Sequence, residues 1–343
     1  MLIDFKKSID EGSLDVISSI LQNGGLVVFP TETVYGIGAD AFNVSAVKKI
    51  FVAKGRASDN PLIAHISKIS MLDRLTDNIT PEAKSLMSAF WPGPLTIVFD
   101  KLPSVPYEVT GGLETVAVRM PSNKIANLII DKCNTPIVAP SANISGKPSG
   151  TNIEDIYLEL NDKVDIIVDG GHTDVGIEST VVKIVDKKVI ILRPGKVTKE
   201  DIESIGLSCE FDKHIFEKVA LEDKVSSPGM KYKHYAPNAK CIMVEGKNDD
   251  KVSKVLELAQ DCQSKVLILC VKENIDSYSG YETISIGSMY DYESIAKNIF
   301  TCLRKADKSN PDLIIIEGVD RVGIGISIMN RLIRACAYNV INV

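Results

Sequence analysis

One stretch places charged and hydroxyl side chains directly behind an apolar run. Residues 29–61 read F-P-T-E-T-V-Y-G-I-G-A-D-A-F, then a helical pattern, then A-K-G-R-A-S-D-N-P. Lys54 and Arg56 flank Gly55, whose missing side chain lets the backbone approach a ligand. Asn60 precedes Pro61, which holds it out of helical conformation. Arg119 and Arg193 each close a strand-like apolar run. A lysine and three arginines at strand ends suit a polyphosphate plus a carboxylate, because the guanidinium fork matches both anions. Taken singly, each of these cations reads better as a solvated turn residue. Four of them beside glycine or proline, in acidic surroundings, tilt the balance toward a site.

The remaining polar clusters leave more open. Thr31, Glu32, Thr33 and Tyr35 line a small pocket or cap a turn with equal claim. Ser141, Asn143, Ser145 and Ser149 make a hydroxyl- and amide-rich loop that, by composition, is first of all a surface loop. Tyr232, His234 and Tyr235 can stack on a base, or simply dock a linker onto a domain. No G-x-x-x-x-G-K-[ST] and no G-x-G-x-x-G occurs, so no standard phosphate loop is expected. The G-I-G-I-S-I-M-N-R run near the end reads as helix packing rather than as a phosphate-binding helix start.

The elements that hold these residues alternate. Helices are expected over 13–22, from Ser45 to about 53, from Thr80-Pro81 to about 90, from Ser122 to about 131, and over 199–204. Strands are expected over 26–29, 61–66, 95–99, 114–120, 136–139, 165–168, 179–185 and 189–192. That is a mixed α/β sheet rather than a repeated βαβ wind. From 240 the rhythm turns regular: strand 241–245, helix 251–262, strands 265–271 and 282–286, helix 291–306, strand 312–316, helix 324–337. Residues 1–207 thus read as one α/β domain, 208–239 as a linker, and 240–343 as a small parallel, Rossmann-like α/β domain.

Composition narrows the class. At 343 residues the chain is long for one core. Seven cysteines without a C-x-x-C pair, and four scattered histidines, point to a reducing compartment and to no protein-ligated metal centre. No run is apolar and long enough to span a bilayer, and no leader-like segment opens the chain, so a cytoplasmic setting is expected. Residues 1–210 hold 21 Lys+Arg against 27 Asp+Glu, leaving 18 of each in the remainder of the 39 and 45. Proteins that grip nucleic acid by its backbone show a basic excess, so strong direct nucleic-acid binding is not expected.

Four motifs, in order, carry a family resemblance. They are F-P-T-E-T-V-Y-G-I-G; K-G-R with D-N-P-L at 59–62; A-P-S-A-N at 139–143; and E-S-T-V-V at 178–182 with R-P-G at 193–195. Together with the S-P-G-M-K-Y-K-H-Y-A-P linker and the added C-terminal α/β domain, the chain resembles the YrdC-like L-threonylcarbamoyladenylate synthases of the long form. The resemblance implies a YrdC-like mixed twisted sheet, and an enzyme joining L-threonine, bicarbonate and ATP into threonylcarbamoyl-AMP with release of pyrophosphate. A separate tRNA threonylcarbamoyl transferase complex would then consume the product.

It also implies residue roles. Thr33, His65, Arg119 and Ser179 would meet the threonine. Lys54, Arg56, Asn60, Thr115, Ala139, Ser141, Asn143, Ser149, Arg193 and Tyr235 would meet ATP, with Lys54 and Arg56 acting on the phosphates and magnesium held through those phosphates. The 232–235 segment would close over the nucleotide. Two competitors stand beside this reading: a module that only holds RNA, which the charge count opposes, and a hydrogenase-maturation carbamoyltransferase. The latter kind carries zinc fingers, for which the chain has no C-x-x-C.

Overall fold

The computed structural model describes residues 1–217 and 234–343, which form two compact units. The first comprises Met1–Ser145 and the residues from Ser149 to 217; the second comprises Gly146–Pro148 with the residues from 234 onward. Of the expected lid, Tyr232 and Lys233 lie outside the described residues.

The first unit runs β1 (Leu2–Asp4), α1 (Glu11–Gln22), β2 (Val27–Phe29), β3 (Gly36–Asp40), α2 (Val44–Lys54), β4 (Ile63–His65), α3 (Pro81–Phe90), β5 (Leu95–Asp100), α4 (Tyr107–Thr110), β6 (Thr115–Arg119), α5 (Lys124–Cys133), β7 (Ile137–Val138), α6 (Ile153–Leu160), β8 (Ile166–Asp169), β9 (Thr180–Val185), β10 (Lys188–Arg193), α7 (Lys199–Ser204) and β11 (Cys209–Phe211). The strands form one mixed sheet in the order β1-β8-β2-β3-β7-β4-β6-β5-β9-β10-β11.

Local chemistry sets most helix ends, with two corrections. Asn43, not Ser45, caps α2: its side chain accepts from the Ala46 amide, while Ser45 Oγ donates back to Asn43 Oδ1 at 2.8 Å. Asn123, not Ser122, caps α5, accepting from the amides of Ile125 and Ala126. In both cases an asparagine close by in sequence reaches the free amides first. Thr80 caps α3 ahead of Pro81 as expected, and Thr198 with Asp201 forms a reciprocal capping box on α7. Gly55 ends α2 at φ 60°, a left-handed cap that a side chain would strain. The strand Gly36–Asp40 and the helix Ile153–Leu160 lie where the sequence pattern predicts no element. Glycines at 36 and 38 hide the apolar alternation of the first, and α6 follows a loop whose polar composition masks its start.

Alternation along the central strands sorts side chains onto two faces. Leu62, Ala64 and Ile66; Leu95, Ile97 and Phe99; Val116 and Val118; and Val189 and Ile191 all enter the main core with helix residues such as Ile50, Leu86 and Ile129. Their neighbours Ile63, Val98, Ala117, Val181 and Leu192 form a separate small apolar cluster on the opposite face.

The second unit contains β12 (Lys240–Glu245), α8 (Asn248–Asp261), β13 (Val266–Val271), β14 (Glu282–Gly287), α9 (Tyr292–Lys308), β15 (Leu313–Glu317), α10 (Ile324–Ala335) and β16 (Val340–Asn342). All its paired strands are parallel, in the order β14-β13-β15-β12-β16. In such sheets ligands favour the crevice beyond the strand ends where the crossovers reverse direction. Here that place, between β13 and β15, is filled by the fully buried Glu317, which accepts from the Val271 amide, Asn274 Nδ2 and the Tyr278 hydroxyl. Helix α10, which begins in the G-I-G-I run, is buried along almost its whole length, as expected of a packing helix.

Candidate active site

The second face of the central sheet carries a row of residues brought together from across the first unit. His65 on β4 pairs with Arg119 on β6, Arg119 with Thr96 on β5, Thr96 with Val181 on β9, and Val181 with Arg193 on β10. Directly paired residues share a face, so these five side chains stand side by side. Arg193 joins them only because the register shifts between Ile191 and Arg193. Without that bulge, alternation would send it to the opposite face from Leu192.

At one end Arg119 is 3% exposed. Its Nη1 donates to Thr33 Oγ1 at 2.8 Å and its Nε to the Gly93 carbonyl at 3.3 Å. Glu32 Oε1 lies 2.7 Å from Nη2. Thr31 and Thr33 share a hydroxyl contact of 2.8 Å, and Thr31 Oγ1 also donates to the Val34 carbonyl. The amides of Val175 and Gly176 hold the carbonyls of Glu32 and Thr33, so a second loop fixes this segment from outside. Burial would raise the pKa of Glu32; the charge and hydrogen bonding of Arg119 outweigh it and hold the carboxyl below its usual range. Burial, aided by the Arg119 charge, lowers His65 to about 3, so the imidazole is neutral. Its Nδ1 lies 3.1 Å from the Ile63 carbonyl, which can only accept, placing the ring proton on Nδ1.

At the other end Arg193 grips Ser179. Nε and Nη2 donate to the Ser179 carbonyl at 3.1 and 3.0 Å, and Nη2 reaches Ser179 Oγ at 3.2 Å. Ser179 Oγ in turn meets Thr96 Oγ1 at 2.8 Å. Gly195 lets this corner close, since a Cβ there would stand 2.3 Å from the Thr180 amide nitrogen. Glu178, one residue before Ser179, accepts from Ser149 Oγ.

The third group lies on the loops. Lys54 is 1% exposed, and its Nζ donates to the carbonyls of Ser141 and Asn143, the latter at 2.7 Å. Ser141 Oγ donates to Asn143 Oδ1 at 2.6 Å, and Ser141 bridges to Gly36. The helix end at Lys54 therefore carries the A-P-S-A-N loop. The Ala139 amide donates to the Ile63 carbonyl. Arg56 Nη2 donates to the Pro61 carbonyl at 3.1 Å, and the buried Asn60 beside it keeps Oδ1 without a hydrogen-bond partner. Thr115 opens β6, four residues from Arg119 on the same face. Tyr235 belongs to the second unit, where it stacks on Phe300 with centroids 5.0 Å apart.

Of the expected site residues, all but Tyr235 thus belong to the first unit. Two participants carry no role from sequence: Thr96 gives a weak signal, a hydroxyl inside an apolar strand, and Glu178 sits within the E-S-T-V-V motif. Glu32, read from sequence as pocket lining or turn, lies against Arg119.

A family model described as "Telomere recombination" matches residues 19–195, and one described as "Threonylcarbamoyl-AMP synthase, C-terminal domain" matches 197–337. The chain is 42% identical over 343 residues to the threonylcarbamoyl-AMP synthase of Pyrococcus abyssi, covering 100% of this chain and 99% of that one. It is 43% identical over 325 residues to that of Bacillus subtilis, covering 94% and 93%. The solved structure of P. abyssi Sua5 complexed with L-threonine superposes with a TM-score of 0.94 over 100% of this chain and 99% of that chain, at 42% identity. Sequence, fold and both domain matches agree: the chain is an enzyme of the threonylcarbamoyl-AMP synthase family, in its long form of a YrdC-like unit followed by a C-terminal α/β unit.

Proposed function

We propose that the row on the sheet face joins L-threonine, bicarbonate and ATP into threonylcarbamoyl-AMP. The observation that carries this is a pair of buried guanidiniums, Arg119 and Arg193, separated on one face by the neutral hydroxyl couple Thr96–Ser179. Such spacing suits one molecule with a carboxylate at one end and a phosphate at the other. Arg119 takes the carboxylate of threonine, with Thr33, His65 and Ser179 around its other polar groups. Arg193, Arg56 and Lys54 supply positive charge to the phosphates, Lys54 through the loop it braces. Asn60, with a buried acceptor to satisfy, takes a donor from the nucleoside, and Thr115, Ala139, Ser141, Asn143 and Ser149 complete the nucleotide side. Between the two ends the apolar floor of Ile63, Val98 and Ala117 excludes water from labile intermediates.

The chemistry follows. The threonine ammonium gives a proton to bicarbonate, which loses water to become carbon dioxide, and the free amine attacks that carbon. The resulting carbamic acid gives its proton to solvent water and becomes the carbamate. One carbamate oxygen then attacks the α-phosphorus in line, and pyrophosphate departs with the bonding electrons. Positioning and charge neutralisation carry such a transfer; no covalent protein intermediate is needed. Among the described residues no cluster of three His, Cys, Asp or Glu side chains could hold a metal ion. Magnesium held through the phosphate oxygens of ATP would offset their charge. The adenylate is then handed to a tRNA threonylcarbamoyl transferase complex. No helix among the described residues is long and apolar enough to cross a membrane.

The test is pyrophosphate release with ATP and bicarbonate, with and without L-threonine. Release is expected only with all three. Release indifferent to threonine, or none, would overturn the reading.

A further inference from the structure

Glu32 stands at the amino-acid end of the row, and the reaction as drawn gives it nothing to do. It is a charged carboxylate only 5% exposed. Its Oε1 lies 2.7 Å from Arg119 Nη2 in a buried ion pair, and its own amide and that of Ser122 also favour the charged carboxylate. The other two nitrogens of Arg119 are committed to Thr33 and Gly93. One buried cationic donor and one buried anionic acceptor thus sit side by side. A carboxylate offers about four acceptor sites and Nη2 two N–H groups, so their contact with each other leaves capacity on both for a ligand that brings a partner to each.

The complement of that pair is a zwitterion. A carboxylate placed on Nη2 and an ammonium placed on Glu32 satisfy both groups and leave the pocket as neutral as it was. An arginine alone would welcome any carboxylate. With Glu32 beside it, an α-hydroxy acid or an N-acylated amino acid brings a negative charge and no cation to a carboxylate already buried. We propose that Glu32 receives the α-ammonium of the amino-acid substrate, making this subsite selective for a free α-amino acid. This rests on the reading of the Arg119 end as the threonine subsite.

Its role is charge and position. Held below the usual carboxylate range by Arg119, Glu32 is a poor proton acceptor and is not the base that frees the amine. Once the carbamate forms, the cation that Glu32 held is gone. The same carboxylate then repels the new anion, away from Arg119 and toward the phosphate end.

The experiment is calorimetric titration of the full chain with two probes: L-threonine, and the 2,3-dihydroxybutanoate of matching configuration, in which a hydroxyl replaces the amine. A non-hydrolysable ATP analogue serves as the folding control. In the wild type, L-threonine binds and the hydroxy acid is rejected. Glu32→Gln is expected to weaken L-threonine about tenfold or more, the loss typical of a charged hydrogen bond, while the hydroxy acid binds no worse. Equal weakening of both probes would reduce Glu32 to a prop for Arg119, and unchanged threonine affinity would remove it from the site; either overturns the proposal. A wild type that ignores L-threonine would overturn the underlying reading instead. Should Glu32→Gln fail to bind the nucleotide, Glu32→Asp decides: the amine preference must survive the shortened reach, and its loss would count against the proposal.

Discussion

Arg119 shows how much one side chain can organise. Its three nitrogens address a threonine hydroxyl, a backbone carbonyl and a buried glutamate, so the guanidinium is held before any substrate arrives. Its charge also acts on His65, its neighbour in the row, whose imidazole is kept neutral by burial first and by Arg119 second, with Glu32 opposing. The consequence for stability has a definite sign. The folded pKa of about 3 lies below the ordinary value of 6.5, so between those limits the unfolded chain binds a proton that the folded chain refuses. Stability should be independent of this group above pH 6.5 and fall as pH drops toward 3, by about 1.4 kcal/mol per pH unit within that window. Urea titrations of wild type and His65→Gln across pH 7 to pH 4 are the check, these being roughly the limits in which the linkage is readable. The variant's decline should be shallower; parallel curves would mean His65 is not buried neutral. Nothing in the sequence marks His65 except resemblance, because a histidine after an apolar run is as often structural as functional.

At the level of elements, two local devices aim the site. The bulge at the end of β10 turns Arg193 onto the same face as Arg119, and helix α2 ends in a lysine that braces the loop after β7. Lys54 is therefore a strut as well as a charge. Lys54→Met removes the donor from two buried carbonyls and should cost about 1–3 kcal/mol. Amide exchange in residues 139–143 should quicken, and pyrophosphate release should be lost. Unchanged exchange in that loop would contradict the strut. The strands bearing Arg119 and Arg193 are legible in the sequence because their apolar periods are strong. The bulge is not, since a one-residue register shift leaves no composition signal. Nor is the strand Gly36–Asp40, where glycines replace the alternating side chains that would announce it. The caps at Asn43 and Asn123 each stand close to a serine, and composition does not separate two good capping residues so near one another.

Across the whole molecule, two α/β units differ in what their polar residues do. The parallel unit fills its own switch point with Glu317, Asn274 and Tyr278, which fits a sheet closed on itself rather than one open to a small ligand there. The mixed unit instead buries the Glu32–Arg119 ion pair and an Asn60 Oδ1 that has no hydrogen-bond partner. Arg119 lies four residue steps from Thr115 along β6, about 13 Å. An adenylate laid along that face would set its amino-acid and nucleotide ends at opposite sides of the apolar floor. The residue motifs point to which side chains matter. That positions as distant as 65, 96, 119, 181 and 193 form a single row depends on strand order, which no local pattern encodes. The most direct measurement is a crystal structure of this chain with L-threonine and a non-hydrolysable ATP analogue bound together. The threonine carboxylate should lie on Arg119 Nη2, and the phosphates should face Arg193, Arg56 and the Lys54-braced loop. Threonine bound away from Arg119, or phosphates away from those cations, would contradict the account.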